Sequence, residues 1–342
     1  MRKGKLPTVL VLICGIGLFL LFPGASAEGV RKGLRLSAGL LIPSLFPVSV
    51  LAGALVRMHP YFSSDGPFSR FMNTVFGVSG ACAPALCLGL LGGFPLGAHL
   101  SASLYREGRI GRDEAEGIAP FANNAGPAFL IGAAGQCLGS GSLGAALLVI
   151  QFLSALSAGL LLRRSRAPRQ LPEPGGAAAV SVSSVLPQAI GASAAAMLRL
   201  TGAVVLFQAL SGCVASVLPL NKLPSGWQAG LEAVLELSGG IALLRGMAWT
   251  AVFPLASALI NWGGCCVHLQ AAEALGSAGL SVKPYFLGKL VQACFGFLYG
   301  ELFLLAARQP AAFAGIPFLC ALFAIIFVFF KKSHWKSEKL VL

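Results

Sequence analysis

LCLGLLGGFPLGAHLSASLYREGRIGRDEAEGIAPFANNAGPAFLIGAAG, residues 86–135, is apolar enough to enter a lipid bilayer, yet residues that end helices interrupt it twice. The first interruption is Gly92-Gly93-Phe94-Pro95 and the second is Asn123-Asn124-Ala125-Gly126-Pro127. Proline lacks an amide proton and disfavours helix in the residue before it, and paired glycines raise the entropic cost of order. A broken helix in lipid leaves N–H and C=O groups unpaired, at several kcal/mol each, so it persists only where protein, ligand, ion or water satisfies them. The two breaks therefore point to a binding site.

The rest of the composition agrees with a bilayer. Across 342 residues, 56% are hydrophobic and 11% charged, with a mean hydropathy of +0.81, where a soluble domain carries roughly 25% charged residues. The fold class is thus all-α, a polytopic helical membrane protein. The formal charge of +13 does not indicate nucleic acid, because the basic residues form short clusters between apolar runs, as cytoplasmic loops do. The nine cysteines lie in apolar stretches without C-x-x-C or metal-type spacing and read as small hydrophobes. No cofactor or metal site is expected, and no phosphate-binding loop or catalytic cluster suggests an enzyme.

Residues 1–27 hold a basic start followed by an apolar run over 6–22, about the 17-residue lower limit for spanning. The same outline fits a secretory signal ending at Ala25-Ser26-Ala27, and a retained first helix with a cytoplasmic N-terminus is the reading adopted. The first repeat, 28–162, then comprises a polar interfacial stretch over 28–35, a span over 36–56, and a flat amphipathic helix over 66–77. A re-entrant hairpin over 81–105, a broken helix over 117–137 and a helix over 142–162 complete it. The hairpin follows from length, since each apolar half is about a dozen residues, too short to cross at 1.5 Å per residue. A basic, Pro- and Gly-rich cytoplasmic linker spans 163–187.

The second repeat, 188–330, is read as a helix over 188–218, an interfacial helix over 230–244, a hairpin over 248–276 broken at Gly263-Gly264, and helices over 284–307 and 313–330. A basic tail, 331–342, follows. An offset of 171 superposes Gly92-Gly93 on Gly263-Gly264, Leu104 on Leu275 and Gly108 on Gly279. Two inverted repeats with hairpins meeting near the midplane is a common transporter plan. Seven crossings from an inside N-terminus leave the basic tail outside, against the positive-inside tendency, and counting 230–244 as a crossing corrects this at the expense of the inverted symmetry.

Gly-Gly-Phe-Pro-Leu-Gly-Ala at 92–98, Leu-Tyr-x-x-Gly-x-Ile at 104–110 and Phe-Ala-Asn-Asn-Ala-Gly-Pro at 121–127 resemble the sporulation integral membrane protein family of the YlbJ type. In the second half Leu-Glu-x-x-x-Gly at 235–240 and Asn-Trp-Gly-Gly-Cys-Cys-Val-His-Leu-Gln at 261–270 agree. That family belongs to the group carrying the nucleoside-recognition Gate domain, similar in architecture to concentrative nucleoside transporters. The resemblance covers about residues 6–330. It implies a multi-pass protein of the mother-cell or outer forespore membrane that moves the anion dipicolinate from the mother cell toward the forespore. Phe94 stands where the family usually has tyrosine, and Cys265-Cys266 where small residues are expected.

The expected substrate site consists of Gly92, Gly93, Phe94, Pro95, Asn123, Asn124, Gly126, Gly263, Gly264 and Gln270. Asn123 and Asn124 offer carboxamides beside a helix N-terminus at Pro127, which suits a carboxylate; alternatively they only satisfy the broken helix. Glu236, Ser238 and Gln292 are expected as gating or coupling residues, with Glu236 costly if deep in lipid and ordinary if interfacial. Lys289 and Arg199 either attract a dicarboxylate or snorkel. His99 and His268 read as core histidines rather than proton relays. The expected partners are a small organic anion and the bilayer, with no nucleic acid. A coupling cation, Na+ or H+, and a homo-oligomer are compatible with the class. The competing functions are a nucleoside or other metabolite transporter and a non-transporting structural or gating protein of spore maturation.

Overall fold

The computed structural model describes residues 6–58, 66–163, 182–218 and 222–308. The basic N-terminal residues, His59, most of the 163–187 linker, the expected helix over 313–330 and the tail lie outside the described residues. Among the described residues all regular structure is helical. Five runs are long and apolar enough to cross a membrane: Pro23–Leu55, Gly141–Leu162, Ser183–Val217, Trp249–Gly276 and Lys283–Ala307. Leucine, valine and phenylalanine side chains exposed along them, such as Leu51, Phe152, Leu198 and Leu287, face outward as lipid-contacting residues do. This is a polytopic helical membrane protein.

Helix α1 (Leu6–Leu21) is 16 residues long, about 24 Å against a hydrocarbon core of about 30 Å. After Phe22 the chain enters α2 (Pro23–Leu36), a π-helical turn (Ser37–Leu41) and α3 (Ile42–Arg57), which together form one run. The expected interfacial stretch over 28–35 is therefore part of a helix. The reason is packing: Gly29 and Gly33, four residues apart, face α10 (Val182–Val217). A Cβ on Gly33 would lie 2.7 Å from Val205 Cα, so only glycine permits this approach. The charged residues use the other faces, with Arg31 and Arg35 on Glu28 at 2.9 and 3.1 Å, and Lys32 on Glu232 at 2.8 Å.

The amphipathic helix expected over 66–77 is α4 (Pro67–Phe76), which buries Met72, Val75 and Phe76 and ends on left-handed Gly77. Helices α5 (Ala83–Gly92) and α6 (Leu96–Arg106) pack on each other. A Cβ on Gly89 would meet Gly97 Cα at 2.8 Å, whereas eight residues of straight helix span about 12 Å; the chain has turned back at Gly93. Helix α7 (Arg112–Ala122) ends at extended Asn123, and the chain resumes after Pro127 as a π-helix (Ala128–Ala134) and α8 (Gly135–Leu138). Helix α9 (Gly141–Leu162) follows, capped by Ser140.

The second half departs from the sequence reading in two places. Residues 230–244 are not one interfacial helix but parts of α11 (Ser225–Leu235) and α12 (Leu237–Ala242), joined at extended Glu236. Gly240 packs onto Ala233, seven residues earlier, so the chain turns back here. The physical cause is the buried Glu236 carboxylate, which accepts the first amides of α12 and makes a new helix start inside an apolar run. Residues 248–276 do not form a hairpin. Helices α13 (Trp249–Trp262) and α14 (Gly264–Gly276) form a single 28-residue run with a break at Gly263, whose two glycines are left-handed but do not reverse the chain. The register pairing Gly92-Gly93 with Gly263-Gly264 fails for the same reason, since one site turns back and the other does not. Helix α15 (Lys283–Ala307) packs against α7, α9 and α13.

Candidate functional site

Four interruptions converge in the middle of the bundle. A Cβ on Gly93 would meet Gly126 N at 2.8 Å, so the α5–α6 turn sits on the break after α7. The Phe94 ring sits against Gly263, whose Cβ would lie 3.1 Å from it, and a Cβ on Gly264 would meet Ala233 O at 2.8 Å. The α5–α6 turn thus touches both interrupted spans, and the α11–α12 turn closes onto the second of them.

The break after α7 is satisfied by side chains from distant helices. Gln151 of α9 pairs with Ala125 as a peptide would: Ala125 N donates to Oε1 at 3.0 Å and Nε2 donates to Ala125 O at 2.9 Å. Lys289 of α15 is fully buried and donates to Asn123 O at 2.9 Å, Gln292 Oε1 at 3.1 Å and Asn124 Oδ1 at 3.3 Å. Gln292 Nε2 donates to Asn124 Oδ1 at 2.6 Å and to Asn261 Oδ1 at 3.0 Å, joining the two interrupted spans. Asn123 Nδ2 donates to the Tyr285 hydroxyl at 2.9 Å, and Asn124 Nδ2 donates to Phe121 O. The carboxamides of Asn123 and Asn124 are thus engaged by protein, behind the backbone of Ala125 and Gly126. Lys289 does not snorkel; its ammonium sits 5.4 Å from the Phe94 ring centroid, within cation–π reach.

The α11–α12 break is satisfied by a carboxylate. Glu236 accepts from Ser238 N at 3.0 Å, Gly239 N at 2.7 Å and Gln208 Nε2 of α10. Nearby, Glu232 accepts from Ser211 Oγ and pairs with Lys32.

Between these breaks lies a cavity of about 40 Å³ lined by Phe94, Ala125, Gly126, Glu236, Ser238 and Gln270, with Ser44 and apolar residues of α3, α10 and α14. That volume has room for a few waters at about 10–15 Å³ each. Gln270 donates to Cys266 Sγ at 3.3 Å, and its buried Oε1 has no hydrogen-bond partner among the described residues. The structure brings Phe94, Gly126, Glu236, Ser238 and Gln270 to the cavity wall and puts Gly93, Gly263 and Gly264 at the contacts between breaks. Gly92 packs on Leu96 and Val48, Pro95 faces a second recess, and Asn123, Asn124 and Gln292 belong to the Lys289 network.

Gln151, Gln208 and Tyr285 are site-supporting residues outside the sequence motifs, and Asn261, which opens the 261–270 motif, joins them although it is not among the expected site residues. The signal was available for two of them: Gln151 is the one amide side chain in α9, and Gln208 lies deep in α10, and polar groups inside spans are costly unless used.

Compared with known proteins, the chain is 28% identical over 353 aligned residues to the sporulation integral membrane protein YlbJ of Bacillus subtilis (strain 168), covering 91% of this chain and 85% of that protein. That similarity supports the YlbJ-type sporulation membrane family. No family model matches the chain, and no solved structure matches it. The apolar helices and the similarity to an integral membrane protein together make this a multi-pass membrane protein.

Proposed function

We propose that the protein transports a small organic anion by alternately exposing the space between its chain breaks, with dipicolinate, the solute implied by the family resemblance, as the first candidate. The observation that carries this reading is Lys289. It is a buried cation with no carboxylate in ion-pair distance among the described residues, held at a broken helix and covered by one aromatic ring. Burying such a charge is costly unless it is used, and ionisable groups inside spans mark substrate or ion pathways.

The repeat plan proposed here pairs α2–α3 with α10, α5–α6 with α11–α12, α7–α8 with α13–α14, and α9 with α15. Packing supports it, because the first pair packs together, the last pair packs together, and each interrupted span packs against the long helix of the other half. In this plan the α5–α6 and α11–α12 turns are re-entrant and enter from opposite faces, as in transporters whose half-helix ends meet at the midplane. The cavity is too small for an aromatic dicarboxylate as it stands, so Phe94 and the α11–α12 turn must move to admit one.

A second reading is supported by Glu236, the one ionic side chain on the cavity wall. A carboxylate there favours a neutral, hydrogen-bonding solute such as a nucleoside. Purified protein in lipid vesicles separates the two. Saturable accumulation of labelled dipicolinate above protein-free vesicles is the expected result, accumulation of labelled uridine alone moves the conclusion to the neutral solute, and accumulation of neither overturns transport.

A further inference from the structure

Outside the central cavity, a polar concavity runs along α6 between α3 and α10. Its volume is about 290 Å³, several times that of the central cavity, and Pro95, His99, Ser103 and Arg106 line it together with Arg57 and Arg199. The α6 residues recur at spacings of three and four, so one face of the helix forms the wall from the Phe94-Pro95 turn to the last residue of α6. Eleven residues make this path about 16 Å long, half the hydrocarbon thickness. The recess therefore joins the end of the molecule bearing Arg106, Arg109 and Arg112 to the turn whose Phe94 lines the central cavity.

Its charge is net basic. Three arginines line it against one acid, Glu107, which is engaged by the Ser103 hydroxyl at 2.9 Å and lies 3.9 Å from Arg109, while a second acid, Glu273 of α14, is close enough to act on His99. None of Arg57, Arg106 and Arg199 forms an ion pair among the described residues. Arg199 is the one charged residue in the 36 residues of α10 and stands near its middle. A charge so placed is tolerated where it faces water or a partner, and its position on the open recess gives it that access.

We propose that this recess is an anion-accepting vestibule: it draws a small carboxylate-bearing solute from the basic side of the membrane to the Phe94-Pro95 turn, which separates it from the central cavity. The arginines recognise the carboxylate through charge and paired N–H donors, and a net basic wall raises the local concentration of anions. A phospholipid phosphate shares that chemistry, and the test separates the two sources. The inference deepens the anion-transport reading and rests on it for the identity of the solute.

The test uses full-length Ser103→Cys protein in phosphatidylcholine vesicles, labelled with anionic and cationic methanethiosulfonates of matched size, with the parent protein as background. Relative to free cysteine, the anionic reagent should be favoured by about tenfold. Arg199→Gln should remove most of that preference and Arg199→Lys should keep it, and dipicolinate should slow the labelling. No preference, or one unchanged by Arg199→Gln and Arg106→Gln, overturns the vestibule. Protection by added phosphatidylglycerol without protection by dipicolinate assigns the recess to a lipid headgroup and overturns the free-solute path. Labelling does not require transport, so an anion-selective recess in a protein that accumulates nothing would sustain the vestibule and retire the transport reading.

Discussion

At the end of α7 the freed carbonyl of Asn123 meets the ammonium of Lys289, whereas at the start of α12 the freed amides of Ser238 and Gly239 meet the carboxylate of Glu236. Each charge matches the helix end it serves, a cation at a C-terminus and an anion at an N-terminus. Neither pairs with an opposite charge among the described residues, and Phe94 covers the first while lining the cavity that includes the second. The break after α7 and the turn before α12 are therefore held by opposite means. A neutral amide network with one cation fixes the first interrupted span, and a single carboxylate cap fixes the second turn. The first arrangement joins α7, α13 and α15 through Asn124, Gln292 and Asn261 and should be the stiffer. The second rests on one side chain and on Gln208, and should open first.

That difference orders the expected effects. Lys289→Met strips donors from Asn123 O and Gln292 Oε1 and should lower stability by about 2–4 kcal/mol, read as thermal unfolding in detergent. A variant as stable as the parent would break the claim that this cation holds the first span. Glu236→Ala removes the cap of α12 and should cost about 1–2 kcal/mol, with faster hydrogen exchange confined to residues 232–244. Exchange that rises instead around 121–130 would reverse the assignment of the weaker region. Lys32→Ala breaks a partly exposed pair, with side chains 40% and 13% exposed, and should cost about 0.2–1 kcal/mol, diminishing in high salt. Combining Lys289→Met with Glu236→Gln sharpens the comparison further. If Phe94 insulates the two charges, the stability effects add to within about 0.5 kcal/mol, and a larger deviation shows that they sense one another.

Three of the four breaks were legible in the sequence because glycine, proline and asparagine wrote them: Gly93 and Pro95, Asn123 through Pro127, and Gly263-Gly264. The fourth was not. Leu235-Glu236-Leu237 contains no helix breaker, and its apolar spacing with Glu232 and Glu236 reads as an amphipathic surface helix. The chain turns there because a buried carboxylate finds its donors in the Ser238-Gly239 amides and in Gln208, which lies 28 positions earlier. Which breaks reverse the chain was equally hidden, since Gly93 and Gly263 are both left-handed and differ in what the chain does next. The cavity wall was partly readable through Phe94, Gly126 and Gln270. The role of Lys289 was not, because a lysine within a span reads alike whether it snorkels or turns inward, and only the positions of Asn123, Asn124 and Gln292 decide it.

The most direct measurement is a structure of the protein with dipicolinate bound. The solute should lie between Phe94, Gly126 and Ser238, with the Phe94 ring displaced from Lys289 and a carboxylate within hydrogen-bond distance of that ammonium. Dipicolinate bound elsewhere, with Phe94 still covering Lys289 and the central cavity closed, would contradict the assignment of these breaks as the solute site.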